Sequence, residues 1–75
     1  MKDSSIDITA IERAVQVCNG QTGLARKLGI TPQAVQQWVA AGAPPARRVI
    51  AIEIATGGMV TRYQLAPDLY PQEVA

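Results

Sequence analysis

Three glutamines and one alanine recur in this 75-residue chain at the spacing of a helix face. Gln33, Gln36, Gln37 and Ala40 follow the i, i+3, i+4, i+7 pattern, so a helix would project all four on one side. A glutamine amide donates and accepts hydrogen bonds at once, which matches the N6 and N7 edge of adenine, and an alanine methyl matches that of thymine. Glutamine is also a good helix former on a wet surface. The stripe therefore has two interpretations, base reading or plain solvation.

Two short helices would have to position this stripe. The first is predicted to end at Gly29, which can adopt the positive φ that a tight turn requires. The second begins with a capping Thr31 followed by Pro32, a residue suited to the first helical position, and it ends near Gly42. These signals predict a helix-turn-helix unit over residues 21–41.

The unit needs an apolar core that fixes the angle between its helices. Ala25 is small, which would allow the second helix to cross the first closely. Val35 and Trp38 lie three apart and are expected to face inward, away from the glutamines. The predicted core of the unit comprises Leu24, Ala25, Leu28, Gly29, Ile30, Val35, Trp38 and Val39.

Further helices are predicted on both sides of this unit. Thr9 and Glu12 have the spacing of a capping box, so a helix should begin there and end at Asn19-Gly20. After an extended Pro44-Pro45 connection, a fourth helix is expected over about residues 46–56.

The C-terminal part has a different pattern. Residues 59–65 alternate in a way that fits a short strand or an extended arm, and Pro67 and Pro71 exclude a long helix. We therefore predict one all-α domain over residues 1–75. It would be a small bundle of four to five helices with an extended C-terminal arm over residues 59–75.

The composition removes most enzyme classes. The chain is 48% hydrophobic and 17% charged, which is typical of a globular domain. It has no histidine and a single cysteine, Cys18, so it cannot form a His/Cys zinc site, a Ser-His or Cys-His pair, or an internal disulfide. Six scattered carboxylates and the lack of a phosphate-binding loop leave no catalytic site to assign. We expect no enzyme activity, no cofactor and no small-molecule substrate.

The net charge of +1 conceals an uneven distribution. Residues 1–12 and residues 53–75 each carry a net charge of −2. Between them lie five cationic side chains and no acidic one, which we call the basic block. The block could face an anionic partner, or the acidic ends could fold back and pair with it. Its members are Arg13, Arg26, Lys27, Arg47 and Arg48.

The sequence also predicts a compartment. Residues 1–10 lack the apolar stretch of a signal peptide, and no segment approaches the ~18 apolar residues of a membrane span. The lone Cys18 fits a reducing environment and is expected to pack as a small hydrophobic residue. A soluble cytoplasmic protein without a membrane partner is predicted.

Several segments resemble one protein family. The residues about 8–71 are similar to the small phage-type repressors of the Cro kind, in particular to the Cro-like YdaS group of prophage regulators, sometimes described as antitoxins. The chain departs from the pattern of the family at Ala43, where isoleucine is common, and at Ala66, where arginine is common. The similar segments are GLARKLGITPQAVQQW (23–38), GAP (42–44), IEIATGG (52–58), VTR (60–62) and LAPDLYP (65–71).

This resemblance implies a helix-turn-helix fold like that of lambda repressor and Cro, with the third helix in the major groove of double-stranded DNA. The residues nearest the bases would be Thr31, Pro32, Gln33, Gln36 and Gln37, with Ala40 on the same face. In chain order, helix 2 is the predicted helix over about residues 21–28, which ends at Gly29, and helix 4 is the one over about residues 46–56. Phosphate contacts would come from Gln21 and Thr22 at the start of helix 2 and from Arg47 and Arg48 in the first turn of helix 4. Because a helix N-terminus disfavours cations, these two arginines suggest an anionic partner. Arg26 and Lys27 are further phosphate candidates, although cations also suit the end of helix 2.

The expected function is that of a sequence-specific transcriptional regulator, a Cro-type repressor. Recognition helices of this kind usually act in pairs about 34 Å apart, so a homodimer on a palindromic or pseudo-palindromic operator is expected. Its interface could form by strand pairing of residues 59–65, or by packing of Ile50 and Ile54 on the outer side of helix 4. The alternative function is a protein-interaction module, such as an antitoxin or a phage-assembly adaptor.

Overall fold

The computed structural model describes residues 8–71, and within this range it contains helices and no strand. These helices confirm the predicted all-α bundle of four to five helices. A single 3-10 turn, Ala46–Arg48, precedes the fourth helix. The five helices are α1 (Ala10–Val17), α2 (Gln21–Leu28), α3 (Pro32–Ala41), α4 (Val49–Ala55) and α5 (Arg62–Leu65).

The start and the end of α1 follow local signals. The Glu12 amide donates to Thr9 Oγ1 at 3.2 Å, and the Thr9 amide donates to Glu12 Oε1 at 3.1 Å, which completes the predicted capping box. After Cys18 the backbone turns through Asn19 at φ 66° and Gly20 at φ 114°. Asparagine and glycine tolerate this left-handed region best, so the chain can leave α1 and enter α2 within three residues.

The boundaries of α2 and α3 also match the prediction. Gly29 adopts φ 72° and ends α2 in the left-handed conformation. Thr31 Oγ1 accepts a hydrogen bond from the Ala34 amide at 3.3 Å, and Pro32 occupies the first position of α3. Gly42 ends α3 at φ 87°. The turn between the two helices is therefore three residues long.

One apolar core lies between the helices. Helix α2 packs against α3, α4 and α1, while α5 packs against α4 and α1. Leu28, Ile30, Trp38 and Val39 are partly buried against this core, as expected. Cys18 is buried and its thiol lies 3.7 Å from the Ala55 carbonyl oxygen, which confirms its packing role. The buried apolar residues are Ile11, Ala14, Cys18, Leu24, Ala25, Val35, Val49, Ile52, Val60 and Leu65.

The predicted fourth helix is divided into two parts. The Arg48 amide donates to the Pro45 carbonyl at 2.9 Å, so Ala46–Arg48 forms a tighter 3-10 turn before α4 begins. Pro45 is extended (ψ 151°), so the chain changes from an extended to a helical conformation within one residue. A 3-10 turn is common at the N-terminus of an α-helix. Arg47 and Arg48 therefore lie just before α4 and not within its first turn.

The prediction of a strand or extended arm is wrong for residues 59–65. Thr61 Oγ1 accepts from the Gln64 amide at 3.2 Å, and Gln64 Oε1 accepts from the Thr61 amide at 3.1 Å, so a second capping box starts α5. Val60 and Leu65 are both buried, whereas a strand would point two residues an odd number of positions apart to opposite faces. Burial of both side chains thus favours a helical turn. The last four residues of the predicted arm lie outside the described range.

A buried hydroxyl holds the connection between α4 and α5. Thr56 Oγ1 accepts from the Val60 amide at 3.1 Å and lies 3.0 Å from the Glu53 carbonyl oxygen, to which it can donate. Gly57 and Gly58, both at positive φ, allow the chain to turn between these partners. The hydrogen bonds of Thr56 thereby hold the turn that places Val60 in the core.

Replacing Thr56 with valine is expected to lower the free energy of unfolding by about 1–3 kcal/mol, because the shape is kept while the buried Val60 amide loses its acceptor. Denaturant titration followed by circular dichroism measures this loss. Thr22→Val, at an exposed position on α2, is the matched control and should change stability little. Equal stability of the two variants would show that the hydroxyl does not hold the turn.

Candidate nucleic-acid interface

The outer face of α3 is polar, uncharged and open to solvent. Gln33, Gln36, Gln37 and Ala40 are all exposed, whereas Val35 on the opposite side is fully buried. Thr31 and Pro32 at the start of the helix are exposed as well. The six residues predicted to face a nucleic acid are thus brought together on one accessible helix end and face.

The position of α3 is set by its contact with α2. Ala25 is 1% exposed beneath the crossing, and the Ile30 amide donates to the Ala25 carbonyl at 3.0 Å, which closes the turn. Leu24 and Val35 are buried together with it in the core. This buried crossing fixes the position of α3 on α2 and so determines which face of α3 meets the solvent.

A residue that the sequence analysis did not single out fixes α2 against α1. A Cβ atom built on Gly23 would lie 1.9 Å from the Cys18 carbonyl oxygen, far closer than any side chain allows. Glycine is therefore required where the end of α1 meets α2. The available signal was a glycine inside a helix, which lowers helix stability and so points to a packing reason.

The residues predicted to contact phosphate precede and follow α3 in the sequence, and their side chains differ in exposure. Thr22, Arg26, Lys27 and Arg47 are exposed, whereas Gln21 and Arg48 are partly buried. The Arg48 Nε atom is buried and has no hydrogen-bond partner, so part of this guanidinium faces the protein. Arg47 is consequently the more accessible of the two adjacent arginines.

The N-terminus of α2 is open for an acceptor. Its N-cap residue, Gly20, supplies no side-chain hydrogen bond, and no acidic residue lies in the first turn. The first amides of a helix have no partner within that helix and carry partial positive charge. Gln21 and Thr22 lie at this end, as predicted, while Arg26 and Lys27 occupy the last turn, where the dipole favours cations.

Within residues 8–71, no side chain of the basic block forms an ion pair with a carboxylate. In that range Arg62 Nε lies 2.7 Å from Glu53 Oε1, and neither residue belongs to the block. The hydrogen bond to Glu53 raises the pKa of the Arg62 guanidinium, and the same guanidinium lies 5.8 Å from the centre of the Tyr70 ring. Arg62 therefore anchors the C-terminal segment.

No helix in the described part of the chain has the length and apolar character needed to cross a membrane.

The helix arrangement defines the class of the protein. It is a small all-helical domain with a Cro-like fold: the chain matches the structure of the Cro protein from a candidate prophage element, Xfaso 1, of Xylella fastidiosa strain Ann-1. The TM-score is 0.82 at 36% sequence identity, and the match covers 85% of this chain and 98% of that one.

Sequence comparison gives the particular family. The family model described as bacterial toxin YdaS matches residues 11–74, and the chain belongs to this family. The candidate transcriptional regulator YdaS of Escherichia coli (strain K12) is 41% identical over 61 residues. That alignment covers 80% of this chain, and the chain spans 62% of the length of the relative. The resemblance found in the sequence is thereby confirmed at the level of family and fold.

Proposed function

We propose that the protein is a transcriptional regulator that binds double-stranded DNA in a sequence-specific manner, with α3 in the major groove. The observation that carries the proposal is the exposed, uncharged glutamine face of α3, which packs on α2 and is bordered in sequence by the exposed cations Arg26, Lys27 and Arg47. An α-helix fits the major groove, where each base pair presents a distinct set of donors and acceptors. The names of the two relatives, a candidate transcriptional regulator and a Cro protein, support it.

In this proposal the amides of Gln33, Gln36 and Gln37 read base edges. Each can form two hydrogen bonds with adenine, and Ala40 can contact a thymine methyl group. Thr31 and Pro32 lie at the end of α3 that enters the groove first. No arginine or lysine lies on α3, so the bidentate arginine contact to guanine is not available from this helix. We expect adenine and thymine at the positions that α3 reads.

The phosphate backbone would be held on both sides of the groove. The open amides at the start of α2, with Gln21 and Thr22, suit one phosphate. Arg47, assisted by Arg48, suits another, and Arg26 and Lys27 add favourable charge. Such contacts would set the register of α3 on the duplex without reading the sequence.

Titration of the protein against a panel of duplexes tests the proposal. A specific regulator should bind a few sequences about 10³-fold or more tightly than random duplex. Uniform weak binding to every duplex would leave only an electrostatic attachment and would contradict base reading.

Arg47→Ala is expected to weaken binding to specific and random duplexes by a similar factor. It should also reduce the slope of log affinity against log salt concentration by ~1, because one phosphate contact is lost. Arg13→Ala is the matched control, since Arg13 is an exposed member of the basic block without an assigned contact. A salt slope that is equal in the two variants would argue against a phosphate contact at Arg47.

Binding through α3 also bears on how many copies of the chain act together on DNA. One α3 reads only a few base pairs, so we propose a homodimer on a palindromic or pseudo-palindromic operator, with half-sites about 34 Å apart. We further propose that the protein acts as a repressor in the cytoplasm, without enzyme activity.

A second candidate function rests on the description of the family as a bacterial toxin. In that case the helical pair would bind a partner protein, as a toxin, an antitoxin or an assembly adaptor. The α3 face has no aromatic or methionine side chain pointing outward, and such side chains are enriched at protein interfaces. Affinity purification that recovers one stoichiometric protein and no DNA would favour this function.

A further inference from the structure

A cleft, which we call the C-terminal cleft, opens where the start of α1, the connection after α3 and the segment after α5 meet. Its volume of about 370 Å³ lies in the usual range of small-molecule sites, about 300–1,000 Å³. Ala43 and Ala66, the two positions at which the sequence departs from the pattern of its family, both line it, and none of the residues assigned to DNA contacts does. The cleft therefore has no role in the function proposed above. Its lining consists of Ala10, residues 42–44, Ala46 and residues 64–69.

The walls of the C-terminal cleft are largely apolar. Leu65 is 5% exposed and belongs to the core, so it lies at the bottom of the cleft, whereas Leu69 is 55% exposed. The Leu69 amide donates to the Ala66 carbonyl at 3.0 Å, which turns the chain back after α5 and makes this segment one wall. The connection after α3 contributes Ala43 and Pro44. Such a lining suits the hydrocarbon part of a ligand.

The charge around the cleft is negative. Asp68 is the one ionisable side chain in the lining; it is exposed, and it forms no ion pair with any side chain of residues 8–71. Helix α3 ends at the cleft with Gly42, and no basic residue lies in its last turn. Pro44 and Pro45 have no amide hydrogen, so the last two carbonyl oxygens of α3 lack the donors that a continuing helix would supply. Free carbonyls at a helix end carry partial negative charge and favour a cation.

We propose that the C-terminal cleft binds a small organic ammonium ion. The ammonium group would face Asp68 and the end of α3, and the hydrocarbon part would lie against Leu65 and Leu69. An anion would meet Asp68 with no cation in the lining to offset it, and a neutral molecule would leave the carboxylate unpaired. This inference goes beyond the proposed function and does not depend on it, because the cleft contains none of the DNA-contact residues.

The exposure of Asp68 limits how much its charge contributes to binding. Water screens an exposed ion pair, so an ammonium ion should bind about 5-fold more tightly than a neutral molecule of the same shape. The apolar lining supplies the remaining affinity, and for a ligand of about nine non-hydrogen atoms we expect a dissociation constant on the order of 1 mM. Three compounds that carry the same phenyl ring on the same short chain test this selectivity: the cation phenethylamine, the neutral phenethyl alcohol and the anion hydrocinnamate.

Nuclear magnetic resonance titration of the isotope-labelled full chain measures both the affinity and the place of binding. Phenethylamine should shift the backbone amides of Ala43, Ala46 and Leu69, which line the cleft, and leave those of Gln33 and Gln37 on α3 unchanged. Phenethyl alcohol should shift the same cleft amides with about 5-fold lower affinity, and hydrocinnamate should shift none of them. No shift with phenethylamine up to ~10 mM, or equal affinities for the amine and the alcohol, would overturn the proposal. Cleft amides that shift with protein concentration alone would assign the cleft to a second copy of the chain and would overturn it as well.

Substitutions separate the charge of the cleft from its shape. D68N keeps the shape and should weaken phenethylamine binding about 5-fold, to the affinity of the alcohol. E12Q is the matched control, because it removes the same charge outside the lining while glutamine can also complete the capping box. A43I should fill the cleft and abolish binding of both compounds, whereas A41I adds the same volume at an exposed position outside the lining. Unchanged amine binding in D68N or in A43I would contradict the proposed site.

The ligand site and the proposed function can fail separately. A chain that binds phenethylamine in the cleft but binds no duplex would keep the site and reject the proposed function. Sequence-specific binding of duplexes by a chain whose cleft amides do not respond to the amine would reject the site alone.

Discussion

Replacing Gln33 and Gln37 with alanine is expected to abolish most of the discrimination between base pairs. Each glutamine that pairs with an adenine contributes about 1–3 kcal/mol, so each substitution should reduce affinity for the preferred sequence about 5- to 150-fold. Both side chains are exposed and Val35 behind them is buried, so the substitutions should leave the fold intact. Binding to random duplex should change little, because phosphate contacts carry it.

The loss of affinity should depend on which base pair is altered as well as on which glutamine is replaced. The Gln37→Ala variant should bind duplexes altered at the base pair that Gln37 reads as tightly as it binds the preferred sequence. At the other base pairs it should keep the preference of the wild type. Gln16→Ala, an exposed glutamine on α1, is the matched control and should behave as the wild type does. If the alanine variants kept the full base preference of the wild type, the glutamines would be no more than solvated helix formers.

The second large effect concerns stability and has a sign opposite to that of helix propensity. Alanine is favoured over glycine in a helix by about 1 kcal/mol, so propensity alone predicts that Gly23→Ala stabilises the protein. The added Cβ would lie 1.9 Å from the Cys18 carbonyl oxygen, and backbone must shift to make room. We expect a net loss of about 2–3 kcal/mol in the free energy of unfolding, typical of overpacking. For a domain of this size, the melting temperature should fall by roughly 10–20 °C.

Gly29→Ala separates this steric effect from backbone strain. Gly29 has φ 72°, but nothing lies within 4 Å of an added Cβ, so its substitution carries strain without a clash. That strain is about 1–2 kcal/mol for an alanine in the left-handed region. Thermal unfolding followed by circular dichroism should therefore rank the variants, with Gly23→Ala the less stable. A stabilised Gly23→Ala would show that α1 and α2 adjust at little cost.

The elements with local start and stop signals could be predicted from the sequence. Thr9 with Glu12 and Thr31 with Pro32 begin helices through contacts within four residues, and Gly29 and Gly42 end them through their own φ angles. Because these signals need no distant partner, the bounds of α2 and α3 matched. The exposure of the glutamines followed from the same periodicity.

The features that depend on distant contacts could not be predicted in this way. The alternation of residues 59–65 suggested a strand, but Val60 and Leu65 both reach a core formed by earlier helices, and Thr61 with Gln64 starts α5. Likewise, the need for glycine at position 23 arises from the carbonyl of Cys18, the residue that follows α1. The partial burial of Arg48, which sets it apart from Arg47, also depends on the packing around it.

Selection of bound sequences from a random pool of double-stranded DNA tests whether α3 reads base pairs. We expect the wild-type chain to enrich a motif with adenine and thymine at the positions read by α3, in two copies with two-fold symmetry and centres one helical turn apart, about 10 base pairs. A pool that remains random after repeated rounds, or a motif that Gln33→Ala and Gln37→Ala enrich unchanged, would contradict base reading by α3.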